Sequence, residues 1–173
     1  MSLSVSDKLK VELRGHTALV TIDNPGANTW DTDSLPALKD LVEKLNAQRD
    51  IYALVITGAG EKFFSAGADL GWMKRMAEYD YEHNLRDAQL LAGMLQSLHY
   101  LPQPTIARVQ GAAFGGAVGL VSCCDMAVAD EGASFCLSEV KIGLIPATIS
   151  PYVMRAMGER AARRYFTTAE RFR

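Results

Sequence analysis

The chain has 173 residues, a net charge of −2 and a pI near 5.9, which is enough for one domain with a real core and no disulfide or metal staples. That balance offers no basic field for nucleic acid. Cys123, Cys124 and Cys136 lack metal-ligand spacing and read as reduced, buried thiols, and the start Met1-Ser2-Leu3-Ser4 has neither half of a signal peptide, so the expectation is a soluble, cytoplasmic protein.

Residues 9–13 and 17–22 alternate as two strands, with Arg14-Gly15-His16 as the turn. Asp23-Asn24-Pro25-Gly26-Ala27-Asn28 breaks the pattern. Asp33 or Ser34 is placed to cap a helix with Pro36 in its first turn. Leu35, Leu38, Leu41, Val42 and Leu45 carry that helix to about Arg49. Residues 51–57 read as a buried strand ended by Gly58-Ala59-Gly60, and residues 63–70 as a small-residue turn leading into a helical segment. No GxSxG elbow surrounds Ser65, so it is not read as a nucleophile. Leu85, Ala88, Leu91, Ala92, Leu95 and Leu98 mark a long helix over residues 81–101, closed by Pro102 and Pro104. His83 and His99 on it are read as surface or packing residues.

A β-branched run, Thr105 to Val109, precedes the most distinctive stretch, residues 110–125. It is small and apolar, with Gly111, Gly115, Gly116 and Gly119 and no charge until Asp125. Glycines there let another backbone or a ligand come close. A helix starting at Gly115 or Gly116 would present unpartnered amides and a positive dipole end, which suits an oxyanion such as an enolate or a phosphate. Close helix packing without chemistry is the competing reading. A membrane span, suggested by the GxxxG ladder, fails because the uncharged run is shorter than about 20 residues.

Residues 126–129 and 134–137 read as short strands, followed by helical segments at 150–157 and from Glu159, the latter with Arg160, Arg163 and Arg164 as its solvated face. A patterned segment runs to Arg173, so residues 1–173 are read as one core that continues into a further helical part. Alternating strands and helices predict an α/β core with a partly parallel sheet.

Three motifs carry a family resemblance: residues 64–70 (Phe-Ser-Ala-Gly-Ala-Asp-Leu), residues 111–125, and residues 135–146 with Ser138-Glu139-Val140 and Ile142-Gly143-Leu144-Ile145-Pro146. On these the chain resembles the crotonase family, the enoyl-CoA hydratases and isomerases. Within it, residues 123–165 are most similar to bacterial methylglutaconyl-CoA hydratases of leucine breakdown. The resemblance implies a spiral of ββα units, with C-terminal helices that make a homotrimer or dimer of trimers. It implies an acyl-CoA substrate, with coenzyme A as part of the substrate and no separate cofactor or metal. The thioester oxygen would be held by the amides of Ala68 and Gly116, and Glu139 would transfer a proton. Lys62, Ala66, Ala68, Asp69 and Leu70 would face the coenzyme A. Hydratases of the family generally use a second glutamate, whose place here falls on Gly119. Hydration of a branched 2-enoyl-CoA is therefore the first expectation. Double-bond isomerisation by Glu139 alone is the alternative, and a non-catalytic acyl-CoA-binding protein a further one.

Overall fold

Strand β2 (Leu9–Arg14) and β3 (Thr17–Ile22) form the expected hairpin. Gly15 at φ +60° makes the turn, a backbone that favours glycine. The register sets Leu9 opposite Ile22, Val11 opposite Val20 and Leu13 opposite Ala18, so one face is apolar throughout. A computed structural model describes residues 2–173, with side chains from Ser6 onward. It adds a strand that the alternation pattern does not announce, β1 (Ser2–Ser6), antiparallel to β2.

Helix α1 (Ser34–Asn46) buries its Leu35, Leu38, Leu41, Val42 and Leu45 stripe and ends three residues earlier than expected. Its N-terminal anchor differs from the sequence expectation. Asp33 occupies the cap position but makes no side-chain cap bond. Asp31 does that work: its Oδ1 accepts from the Ser34 N–H at 2.9 Å and the Asp33 N–H at 3.2 Å, and its Oδ2 pairs with the Lys8 ammonium. Burial pushes the Asp31 carboxyl up, but Lys8 and the Ser34 donors outweigh it and hold the group at about 2.

From here the chain repeats one manoeuvre three times. Strand β4 (Ala53–Gly58) joins the large sheet, and β5 (Phe63–Ser65) leaves it for a second sheet, followed by α2 (Leu70–Met76) and α3 (Tyr81–His99). Strand β6 (Thr105–Val109) returns, and β7 (Ala112–Phe114) departs into α4 (Gly116–Cys123). Strand β8 (Met126–Ala129) returns, and β9 (Ser134–Cys136) departs into a 3-10 turn (Glu139–Ile142). Helices α5 (Ser150–Met157) and α6 (Glu159–Thr168) complete the chain order. The result is a six-stranded sheet, β1-β2-β3-β4-β6-β8, beside a three-stranded sheet, β5-β7-β9. Pairings β3–β4, β4–β6 and β6–β8 are parallel, as are both in the small sheet. This is the expected α/β spiral of ββα units.

The last return is pinned locally to the one before it. Asp125 Oδ2 accepts from the N–H and hydroxyl of Thr105, both at 2.8 Å, and the Asp125 N–H donates back to that hydroxyl. The end of the glycine-rich stretch is thereby tied to the start of β6. The core packs the sheet side chains Val20, Ile56 and Ala107 with Met94, Leu95 and Leu98 of α3 and Leu120 of α4. Burying a side chain of this size contributes about 1.5–3 kcal/mol. Among the described residues the three cysteines are free; Cys123 and Cys136 are buried and Cys124 half-buried. Burial raises the Cys123 thiol, and it pushes Cys124 up to about 12. No described helix is long and apolar enough to cross a membrane.

Candidate active site

Strands β5, β7 and β9 are parallel, so the segments leaving their C-terminal ends emerge at one edge of the small sheet. Those segments carry Ala68, Gly116 and Glu139. The spiral thus gathers three residues that lie far apart in sequence.

After β5 the chain turns at Gly67, where φ is +84° and a β-carbon would stand 2.7 Å from the Phe114 carbonyl oxygen. The Trp30 N–H donates to the Gly67 carbonyl, and the Asp69 N–H donates to the Trp30 carbonyl, both at 2.8 Å. These bonds bracket Ala68 in a parallel bridge to Trp30. In such a bridge the N–H of the bracketed residue points away from its partner strand. The Ala68 N–H has no acceptor among the described residues.

After β7, Gly115 at φ +55° turns the chain into α4 and donates its own N–H to the Cys136 carbonyl at 2.9 Å. Gly116 is the first residue of α4, so its N–H has no intrahelical partner and stands at the positive end of the helix. A β-carbon on Gly67 would lie 3.3 Å from the Gly116 nitrogen, which measures how closely the two segments meet. Trp30, only 3% exposed, lays its ring edge against Gly116: Cζ3 would be 3.2 Å from a β-carbon there.

After β9, Glu139 opens the 3-10 turn, which is closed by Gly143 in the left-handed region at φ +75°. A β-carbon on Gly115 would stand 3.3 Å from Glu139 Oε1. Oε2 is buried with no partner among the described residues, and burial pushes the carboxyl above its ordinary range. Two unpartnered N–H donors beside a carboxyl of raised proton affinity can stabilise a developing oxyanion and move a proton next to it.

The remaining sequence-predicted positions fall on the same loop with mixed duties. Ala66 donates its N–H to the Ala27 carbonyl, and Asp69 Oδ1 caps α2 by accepting from the Trp72 N–H at 2.9 Å. Lys62 is exposed and accepts from the Ala112 N–H through its carbonyl, and Leu70 is 73% exposed. His83 is exposed beside Asp80, and His99 bonds Arg155; neither lies on this edge.

Gly119 has a packing reason that the sequence did not show. A β-carbon there would lie 2.3 Å from Ile149 Cγ2 and 2.6 Å from Ile149 Cβ. Ile149, 2% exposed, fills the space that a side chain at position 119 would need. Gly119→Ala is therefore expected to destabilise the protein by about 1–3 kcal/mol. The loss should be smaller in an Ile149→Ala background, a coupling that a double-mutant cycle by thermal or urea unfolding would read. Additive losses would contradict the contact.

The fold delivers two free amides and one carboxyl to a single sheet edge. Residues 12–173 match the family profile described as Enoyl-CoA hydratase/isomerase, and the chain belongs to that family. A solved enoyl-CoA hydratase from Shewanella pealeana is 50% identical, with a TM-score of 0.92 over 95% of this chain and 62% of that one. A structure from Legionella pneumophila, provisionally described as an enoyl-CoA hydratase/isomerase (crotonase), is 44% identical, with a TM-score of 0.91 over 95% of this chain and 64% of its own. A Thermus thermophilus protein provisionally named enoyl-CoA hydratase is 38% identical over 151 residues, 87% of this chain and 59% of that protein. The chain thus spans less than two thirds of the length of these relatives.

Proposed function

We propose that this chain carries the catalytic core of an enzyme that hydrates a 2-enoyl-CoA to the 3-hydroxyacyl-CoA. The observation that carries the reading is the meeting of the free Ala68 and Gly116 amides with Glu139 at one edge of the small sheet. Water oxygen bonds to C3 while the double-bond pair moves toward the thioester oxygen, held by the two amides. Glu139 gives a proton to C2, and the proton released by the water restores the carboxyl. The methylglutaconyl-like motifs favour a branched acyl chain with a distal carboxylate. Such a carboxylate would help to orient the water where Gly119 offers no side chain.

The contact of Ile149 with Gly119 supports a second reading, isomerisation of the double bond, in which Glu139 alone takes a proton from one carbon and returns it to another. A panel of enoyl-CoA thioesters turned over in isotopically labelled water separates the two. Hydration puts the label's oxygen in the product, and isomerisation incorporates none. No turnover across the panel, with acyl-CoA still bound, would favour a binding protein instead.

The same reading carries a trimeric assembly for the whole protein, supported by the exposed apolar run Ile142, Leu144 and Ile145 just beyond Glu139. Sedimentation at micromolar concentration should show a trimer or a multiple of it; a monomer would contradict this.

A further inference from the structure

The turn that frees the Ala68 N–H is held from behind by side chains that the proposed chemistry does not use. Ser65 is fully buried, at 0% exposure. Its hydroxyl donates to the Asn28 carbonyl at 2.7 Å and accepts from the Gly67 N–H at 3.1 Å. Asn28 is 5% exposed and sits at φ +53°, in the left-handed region that asparagine tolerates better than most residues. Its Nδ2 donates to the carbonyls of Ala59 and Phe63, both at 2.9 Å. Gln110 Nε2 donates to the same Phe63 carbonyl at 2.8 Å and to Gly58 at 2.9 Å. The loop before β5, the strand and the turn after it are thus clamped to the 23–31 loop and to the start of β7.

We infer that Ser65, seated by Asn28, is a positioning residue for the Ala68 amide. The inference rests on the proposed role of that amide as an oxyanion donor. A trans peptide is planar, with its C=O and N–H opposed. The Gly67–Ala68 peptide therefore has one orientation once Gly67 is fixed at both ends. Trp30 holds the Gly67 carbonyl and Ser65 holds the Gly67 N–H. Glycine would otherwise turn freely, and the Ala68 N–H would turn with it. Donors act on a developing oxyanion only when they are aimed before the reaction. The competing explanation is that the hydroxyl only satisfies two buried backbone groups. In that case its loss lowers stability but leaves the polarisation of a bound thioester unchanged.

Ser65→Ala in the purified full-length protein is expected to lower kcat about 10- to 100-fold, with KM within about 2-fold. The red shift of a bound aryl-conjugated enoyl-CoA, which reports carbonyl polarisation, should shrink in parallel. Ser65→Cys, close in size but weaker in hydrogen bonding, should fall between wild type and Ser65→Ala. It also serves if Ser65→Ala does not fold. Asn28→Gly keeps the backbone conformation and removes the Nδ2 clamp, so it should shift both readouts in the same direction. A folded Ser65→Ala with normal kcat and normal red shift, beside an Ala68→Pro that lowers both, would overturn this inference alone. If Ala68→Pro also leaves both unchanged, the role of the amide fails and this inference fails with it.

Discussion

Glu139→Gln should lower kcat by about 100- to 10,000-fold, the usual contribution of general acid–base catalysis, while the affinity for acyl-CoA stays within a few-fold. Glutamine keeps the length and hydrogen-bonding reach of the side chain and loses only the transferable proton. Position 119 offers no substitute, because Gly119 has no side chain and Ile149 fills the space beside it. The pH dependence carries more information. Burial raises the Glu139 carboxyl, so its acid form persists above the ordinary carboxylate range. In hydration the acid form delivers the proton to C2, and kcat/KM should fall as pH rises through that raised value. In isomerisation the ionised form takes the proton, and kcat/KM should rise there instead. Either limb should vanish in the variant. Stability follows the same direction as hydration and the opposite direction to isomerisation. A folded-state value above the unfolded one stabilises the protein below the ordinary carboxylate range, and that contribution is lost as pH rises through the folded value. Glutamine has no charge to desolvate, so the melting temperature of the variant should equal or exceed wild type near neutral pH. A Glu139→Gln protein with near-normal turnover would remove the proton-transfer role under both readings.

The parts of this site that were legible in the sequence are those written in local chemistry. Gly115-Gly116 after a β-branched strand announces a helix N-terminus close to another backbone, and α4 begins at Gly116. The small-residue turn over residues 63–70 reads as leading into a helical segment, and α2 begins at Leu70. The small sheet was not fully legible. Its strands β5, β7 and β9 are each three residues long, and Ala112-Ala113-Phe114 shows no alternation a pattern can catch. Yet that sheet is what brings Ala68, Gly116 and Glu139 together. Long-range packing was hidden for a similar reason. Nothing near Gly119 names Ile149 as its neighbour, 30 positions away, and nothing near Ser65 names Asn28. The cap of α1 shows the limit on a smaller scale: Asp33 stands at the expected position, but Asp31, seated by Lys8, makes the bonds. Which of two nearby carboxylates caps a helix depends on the path of the preceding loop. That loop is tied here by the Trp30 bridge to Ala68, one residue before Asp31.

Ala68→Pro is expected to lower turnover at least about 100-fold with the fold intact, because proline removes the backbone N–H outright. The substitution is unusually clean at this position. The Trp30 bridge uses the Gly67 carbonyl and the Asp69 N–H, so the Ala68 N–H supports no hydrogen bond of the fold that proline would break. The loss corresponds to about 3 kcal/mol of transition-state stabilisation, the usual cost of one missing oxyanion donor. It should fall mainly on kcat, since the donor meets a full negative charge only when the thioester becomes an enolate. Gly116 remains as the second donor, so residual activity above background should survive. That residue distinguishes a lost donor from a collapsed site, in which Glu139 would be misplaced as well. The circular dichroism spectrum should match wild type, and a bound aryl-conjugated enoyl-CoA should lose part of its red shift. A folded Ala68→Pro protein with wild-type turnover and an unchanged red shift would show that the free amide after β5 does not hold the thioester oxygen.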